Sequence, residues 1–335
     1  MYIFTKFYDI IYEKFKAQKM HKYLFIILGC LFTSFAHGAD EPVITAEDIF
    51  NATKTVCSGI SDEIAQVAKI SKINTAVTAA GTATAGGALA VGIKKSAEEE
   101  RIDEIISQMC SAGGCTPEGV AAMSDEEFWN KVVQPLGQIV ELQKHIENSK
   151  KLGNWRTGLM AGTIGTNVAS AIISGLNKDQ SELVQHITAC NNAVKTAQDT
   201  YKQIQNNTET TLDINIISKL DDVNTWCGNI NTEDIEKIEK RMTGVMGTSI
   251  AGGVIGVVGT ATSAAANADK YTEQTKRVRL DKKETETKNA LNTTANVMAG
   301  ANTATGLVET GLNISLITLT KRLIAQAERC EEIFK

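Results

Sequence analysis

Apolar residues recur every three or four positions along most of this chain, which is the spacing of one face of an α-helix. Ile60, Ile64, Val67, Ile70 and Ile73 form one such stripe. The alternation typical of strands is absent, and the chain has only three prolines. The pattern therefore predicts an all-α protein.

Helix starts and breaks divide this pattern into long segments. Ser124 with Glu127 forms a capping box, and Thr232 is followed by two acidic residues, as the first turn of a helix favours. Glycine-rich or asparagine-rich stretches at residues 111–119 and 206–208 predict loops. The segments between them are long enough to predict long antiparallel helical hairpins, with a shorter helical pair between them.

Four stretches contain no charged residue and consist mostly of Gly, Ala, Ser, Thr and Val: residues 73–93, 157–177, 243–268 and 289–308. With 22% of all residues charged, an uncharged run of twenty arises by chance at roughly the 1% level per window. Four of them indicate that these helices meet something other than bulk water on at least one side.

The second stretch has three faces although it has no charge. We expect its apolar and glycine faces to pack inside a bundle and its polar face to lie outside. By contrast, residues 250–259 have no polar side chain and are the best candidate for lipid contact. The apolar face holds Met160, Ile164, Val168, Ile172 and Leu176; the small face holds Gly158, Gly162, Gly165 and Ala169; the polar face holds Thr163, Asn167, Ser170, Ser174 and Asn177.

The cysteine positions predict that the four uncharged stretches lie at the same level along the bundle axis. Their centres lie 23 to 31 residues from Cys57, Cys190, Cys227 and Cys330 respectively, which is roughly 35 to 45 Å of helix. Four antiparallel helices would therefore carry all four cysteines at one level and all four uncharged stretches at another, as an elongated four-helix-type bundle.

This geometry favours the disulfides Cys57–Cys190 and Cys227–Cys330, each closing one hairpin. Cys57–Cys330 with Cys190–Cys227 fits the same level nearly as well. A third disulfide, Cys110–Cys115, is expected at the tip of the first hairpin.

The chain divides into a leader and three helical parts. Basic residues before an apolar run, then Ala36 and Gly38, predict a secretory signal peptide in residues 1–38, with Met20 as the natural start; a lipoprotein signal at Cys30 and a retained anchor are alternatives. The parts that follow are a first hairpin (39–190), a short helical pair (191–226) and a second hairpin (227–335). The two hairpins have a similar layout, which suggests an internal duplication.

The net charge and the lack of catalytic motifs in the sequence limit the classes of function that the chain can have. Residues 1–38 hold five of the 34 basic and two of the 39 acidic residues, so the remaining chain has a net charge of −8, which disfavours nucleic-acid binding. His145 and His186 have no partner at metal-ligand spacing, and the sequence has no nucleophile-elbow, phosphate-loop or dinucleotide motif. We expect no catalytic residue, no metal and no cofactor.

The expected function is therefore that of an exported, non-enzymatic structural or interaction protein of a cell envelope or secreted assembly. Its partner would be a second copy or another envelope protein. It would bind at the level where the four uncharged stretches meet, which we call the uncharged layer. The alternative is a membrane-inserting or pore-lining helical protein that uses the same four stretches against a lipid bilayer. The layer residues expected to make these contacts are Gly86, Gly87, Gly158, Gly162, Gly165, Gly252, Gly253, Gly256, Gly259 and Gly300.

Overall fold

The computed structural model describes residues 46–335 apart from 113–118, 121, 129, 132–138, 178–179, 208–213, 273–279 and 281. The predicted leader and Cys115 lie outside the described residues. The described chain is helical without strands, so the all-α prediction is confirmed.

Four long helices make up the bundle, and shorter helices pack at its ends. In chain order the helices are α1 (Ala46–Cys57), α2 (Ile60–Ala112), α3 (Asp125–Phe128), α4 (Ile139–Leu176), α5 (Ser181–Asn207), α6 (Ile214–Trp226), α7 (Thr232–Ala266), α8 (Asp269–Thr272) and α9 (Lys282–Ile333).

The long helices α2, α4, α7 and α9 form a ring in which each contacts two others: α2 packs on α4 and α9, and α7 packs on the same two. Contacts along each pair run in opposite directions. On α2 and α4, Asn74 bonds Ser174 whereas Thr84 contacts Thr163. The ring is therefore an antiparallel four-helix bundle, as predicted.

The helix boundaries differ from the prediction in one place. The returning arm of the first hairpin was expected to run unbroken to Cys190, but α4 ends at Leu176 and Cys190 lies on α5. Gln180 and Asn177 stand at the break, where the Gln180 side chain donates to the Asn177 carbonyl. The chain between α4 and α7 therefore consists of α5 and α6, and the division of the chain at residue 191 stays a prediction.

Two disulfides lie at one end of the bundle, here called the disulfide end. Cys57 is bonded to Cys190 and Cys227 to Cys330, which are the two pairs favoured from the helix distances. All four cysteines are buried in one apolar cluster with residues such as Ile64. Cys110 is buried in a separate apolar cluster beyond the other end of the uncharged stretches, and its predicted bond to Cys115 stays a prediction.

Candidate functional site: an apolar belt around a polar core

The middle of the bundle has its large apolar side chains on the outside. We call this set the apolar belt; its members are 41% to 62% exposed. The belt draws on all four long helices, and on α2 it extends from Ile73 to Ile93, which is about 30 Å of helix. Its residues are Ile73, Ile93, Val168, Ile172, Leu176, Ile250, Val254, Val257, Val258, Val297, Leu307, Val308 and Ile314.

The same levels have polar side chains on the inside, which we call the polar core. Each member is at most 6% exposed, and the set includes one carboxylate, that of Glu309. The arrangement reverses the usual one, in which apolar side chains lie inside and polar ones outside. The members are Asn74, Thr78, Thr163, Asn167, Ser170, Ser174, Ser249, Asn302, Glu309 and Asn313.

Hydrogen bonds between helices hold the polar core together. Asn74 donates to Ser174 at 2.9 Å and to Asn313 at 3.3 Å, and Asn167 donates to Asn302 at 3.2 Å. These bonds join α2 to α4 and α9, and α4 to α9. Buried amides and hydroxyls are stable only when paired in this way, so the polar core specifies the register of the bundle.

An apolar layer interrupts the polar side chains on the axis. Ala88, Met160 and Ala299 are fully buried there, with Met298 packed against them. We call these residues the apolar plug. An added Cβ atom at Gly259 would overlap Met160, so α7 approaches closely at this level because residue 259 has no side chain.

Beyond the plug, buried charged residues mark the end of the belt; this level is called the charged end. The Arg156 guanidinium is fully buried and donates to Ser263 at 2.9 Å, and to Asn296 and Asn292 at 3.0 Å each. Lys288, also fully buried, forms an ion pair with Glu99.

The charged end also carries an exposed aromatic residue. The indole of Trp155 is 68% exposed, and it is adjacent in sequence to Arg156, which approaches Gly92 and so lies level with Ile93. Trp155 therefore stands at the edge of the apolar belt.

The prediction for the faces of residues 157–177 is wrong for most of the helix, although Met160 is buried as expected. Asn167, Ser170 and Ser174 are buried, whereas Val168, Ile172 and Leu176 are half exposed. The polar face was assigned to the outside because water is the usual surrounding of a bundle. The sequence signal that could have corrected this is the missing charge, since a water-exposed face normally includes Lys or Glu.

The glycines of the layer fall into two groups. Gly252, Gly256 and Gly259 are buried on α7 and allow close approach to α4 and α9. The others are exposed or half-buried, and an added Cβ atom would meet either no neighbouring atom or only atoms of one side chain at ordinary contact distance. These are Gly86, Gly87, Gly158, Gly162, Gly165, Gly253 and Gly300.

Sequence reasoning missed Glu309, because it lies just after the fourth uncharged stretch. The histidines have carboxylate contacts: His145 Nδ1 lies 2.5 Å from Glu98, and His186 Nδ1 lies 3.2 Å from Glu63. His186 also contacts the Val56 carbonyl, at 2.9 Å.

Three stretches contain helix that is long and apolar enough to cross a bilayer, by length and composition: Glu47–Ala112, Val140–Lys202, which includes the undescribed residues 178–179, and Thr232–Ala266. The fourth long helix, α9, is not among them. These stretches and the two disulfides are consistent with an exported or membrane-associated protein. Comparison of the chain with protein-family models, curated proteins and solved structures gives no match.

Proposed function

We propose that this chain is an exported protein that inserts its four long helices into a lipid bilayer, with the apolar belt in contact with the acyl chains. The observation that carries the proposal is the reversed polarity of the middle of the bundle. Exposed valine, leucine and isoleucine surround buried asparagine, serine and glutamate over one continuous band.

The height of the belt supports this proposal. From Ile73 to Ile93 on α2, and from Trp155 to Leu176 on α4, the helix rises about 30 Å. The hydrocarbon core of a bilayer is also about 30 Å thick. A soluble protein rarely leaves so large an apolar surface in water.

The edges of the belt support it as well. Trp155 is exposed at one edge, and tryptophan is enriched where hydrocarbon meets the lipid headgroups. The buried Arg156 lies level with this edge, at the boundary of the proposed hydrocarbon span. Beyond both edges the bundle regains apolar buried clusters, around Cys57 at one end and around Ile105 at the other.

The polar core fits a bilayer for a further reason. Helices surrounded by lipid gain little from burying apolar side chains, so they associate through small residues and interhelical hydrogen bonds. The buried Gly252 and Gly256 and the bond between Asn167 and Asn302 are contacts of this kind.

A charge placed in the belt tests the proposal. In flotation of the full chain with phosphatidylcholine vesicles, Val168→Lys should lower the bound fraction at least about tenfold, because lysine at the centre of a span costs about 3 kcal/mol. Wild-type protein should stay with the vesicles after a carbonate wash.

Val140→Lys is the matched control. Val140 lies on the same helix and is 78% exposed, but it stands outside the belt. Its replacement should leave flotation unchanged. Wild-type protein that remains in the soluble fraction, or equal losses in both variants, would rule out insertion through the belt.

A second candidate function, association with another copy or with an envelope protein through the same layer, is favoured by one observation. Gly158, Gly162 and Gly165 form an exposed strip on α4 with no atom near the position of a Cβ. Gly158 and Gly162 have the four-residue spacing through which membrane helices pack closely on one another.

A further inference from the structure

Glu309 is the one ionisable side chain that the described residues place in the polar core. It is 1% exposed, and it lies on α9 between Val308 and Ile314, which both belong to the belt. Its carboxylate oxygen Oε1 contacts the hydroxyls of Ser170 on α4 and Ser249 on α7. Ionisable groups at membrane depth are costly and usually functional.

The groups that face Glu309 are neutral. Besides the two serines, Thr78 is buried at the corresponding position of α2, one turn from Thr82, which meets Gly306. In the described chain, the charged residues nearest this level on the other helices are Lys72 on α2, which is exposed, and Arg241 on α7, which donates to the Ser315 carbonyl at 3.2 Å.

A small cavity lies one helical turn from Glu309 on the side of the disulfide end. Its polar lining is Ser71, Asn74, Ser174 and Asn313, and it is large enough for one water-sized sphere. Two buried atoms, Asn74 Oδ1 and Asn313 Nδ2, have no hydrogen-bond partner within the protein. An acceptor and a donor left open beside a cavity of this size are the groups that hold a buried water molecule.

The opposite direction along the axis is blocked. The apolar plug around Met160 separates Glu309 from the charged end, and the buried Arg156 lies beyond it. Apolar constrictions exclude water, and a fixed positive charge repels protons. Apolar side chains also border the polar core on the other side, where Met242 and Leu316 line the cavity and belong to the apolar cluster of the disulfide end.

We propose that Glu309 is a proton-binding site beside the Asn74–Asn313 cavity, and that its protonation favours the inserted bundle. A proton from water converts the carboxylate into a neutral carboxylic acid, whose O–H can donate to a serine hydroxyl. A neutral acid costs less inside a bilayer than a carboxylate. This inference rests on the proposed membrane insertion.

Flotation with phosphatidylcholine vesicles at about pH 4 and about pH 8 tests the inference, because the ordinary glutamate value of about 4.3 lies between them. The bound fraction of the wild type should be several-fold higher in the acidic buffer. Glu309→Gln, which is neutral at both values, should bind strongly in both buffers. Glu309→Asp keeps a titratable group and should retain the pH dependence.

Glu328→Gln on the same helix is the control, because Glu328 is exposed; it should behave as the wild type does. Infrared difference spectra of the full chain should show an acid-form carboxyl band that Glu309→Gln lacks. Absence of that band in the wild type, or the same pH dependence in Glu309→Gln, would overturn the inference. Equal binding of the wild type at both pH values would overturn it and leave insertion standing, whereas no binding of any variant in either buffer would refute insertion itself.

Discussion

His186 shows how a single side chain at the disulfide end links folding to pH. Its Nε2 donates to the Val56 carbonyl and its Nδ1 contacts the Glu63 carboxylate, where α5 packs on the region between α1 and α2. The hydrogen bond with the Glu63 carboxylate raises the pKa of His186 above its usual value, against an opposing effect of burial. His186 therefore binds a proton more tightly in the folded protein than in the unfolded chain.

The pH dependence that follows has a definite sign. Because the pKa of His186 is raised on folding, the extra stability is fully present below about pH 6.5, the unfolded value, and is lost as the pH rises through the folded value. We expect the urea midpoint of wild-type protein to fall over that range. His186→Gln should flatten this part of the profile, and an unchanged slope in the variant would contradict the assignment.

Among the helices, the start of α2 depends on a residue from the far end of the chain. The backbone reverses at Gly59, whose φ of 87° lies in the left-handed region that favours glycine. The Glu331 carboxylate accepts from the Gly59 and Ser61 amides at 3.0 Å each, and from the Ser61 hydroxyl at 2.7 Å. A side chain of α9 thus supplies the N-terminal cap that α2 lacks locally.

Removing this cap should destabilise the disulfide end. Glu331→Ala leaves the first amides of α2 without their acceptor, and losses of this kind cost about 0.5 to 2 kcal/mol. Chemical unfolding of oxidised protein measures the change. Glu332→Ala removes an exposed neighbouring carboxylate and should have little effect; equal losses from the two variants would mean that the cap contributes nothing.

At the scale of the whole molecule, the exposed glycine strip on α4 tests whether copies of the chain associate in the bilayer. Gly162→Leu adds a side chain where no neighbouring atom lies within 4 Å, so the fold should tolerate it while a close helix contact would not. We expect a smaller cross-linked or sedimenting species in detergent. Gly311→Leu, at an equally open glycine on α9, should leave assembly unchanged, and identical assembly of Gly162→Leu would exclude this strip as the contact.

Much of this architecture could be predicted from the chain, because helix periodicity and cysteine spacing are local or nearly one-dimensional signals. The distances from Cys57 and Cys190 to the uncharged stretches were enough to favour the observed disulfide. The orientation of α4 could not be obtained in this way. A helix with one polar and one apolar face has the same pattern whether its polar face meets water or other helices, so Asn167 was assigned to the wrong side.

Glu309 could not be singled out for a related reason. In the sequence it is one acid among many, flanked by Val308 and Thr310, and nothing nearby distinguishes it from Glu328. Its importance comes from Ser170 and Ser249, which are 139 and 60 residues away along the chain. Only the packing of three helices brings these groups together.

Each of the two disulfides lies within one half of the bundle, and neither crosses to the other half. Cys57–Cys190 and Cys227–Cys330 span 133 and 103 residues, and each turns one hairpin into a closed covalent loop. Neither of these two disulfides links one loop to the other, so the backbone from Cys190 to Cys227 is the covalent connection that the described residues show between them. Separation of the two halves would therefore break neither disulfide, but it would break the polar-core hydrogen bonds between them and expose Asn167 and Ser170 on one half and Asn302 and Glu309 on the other.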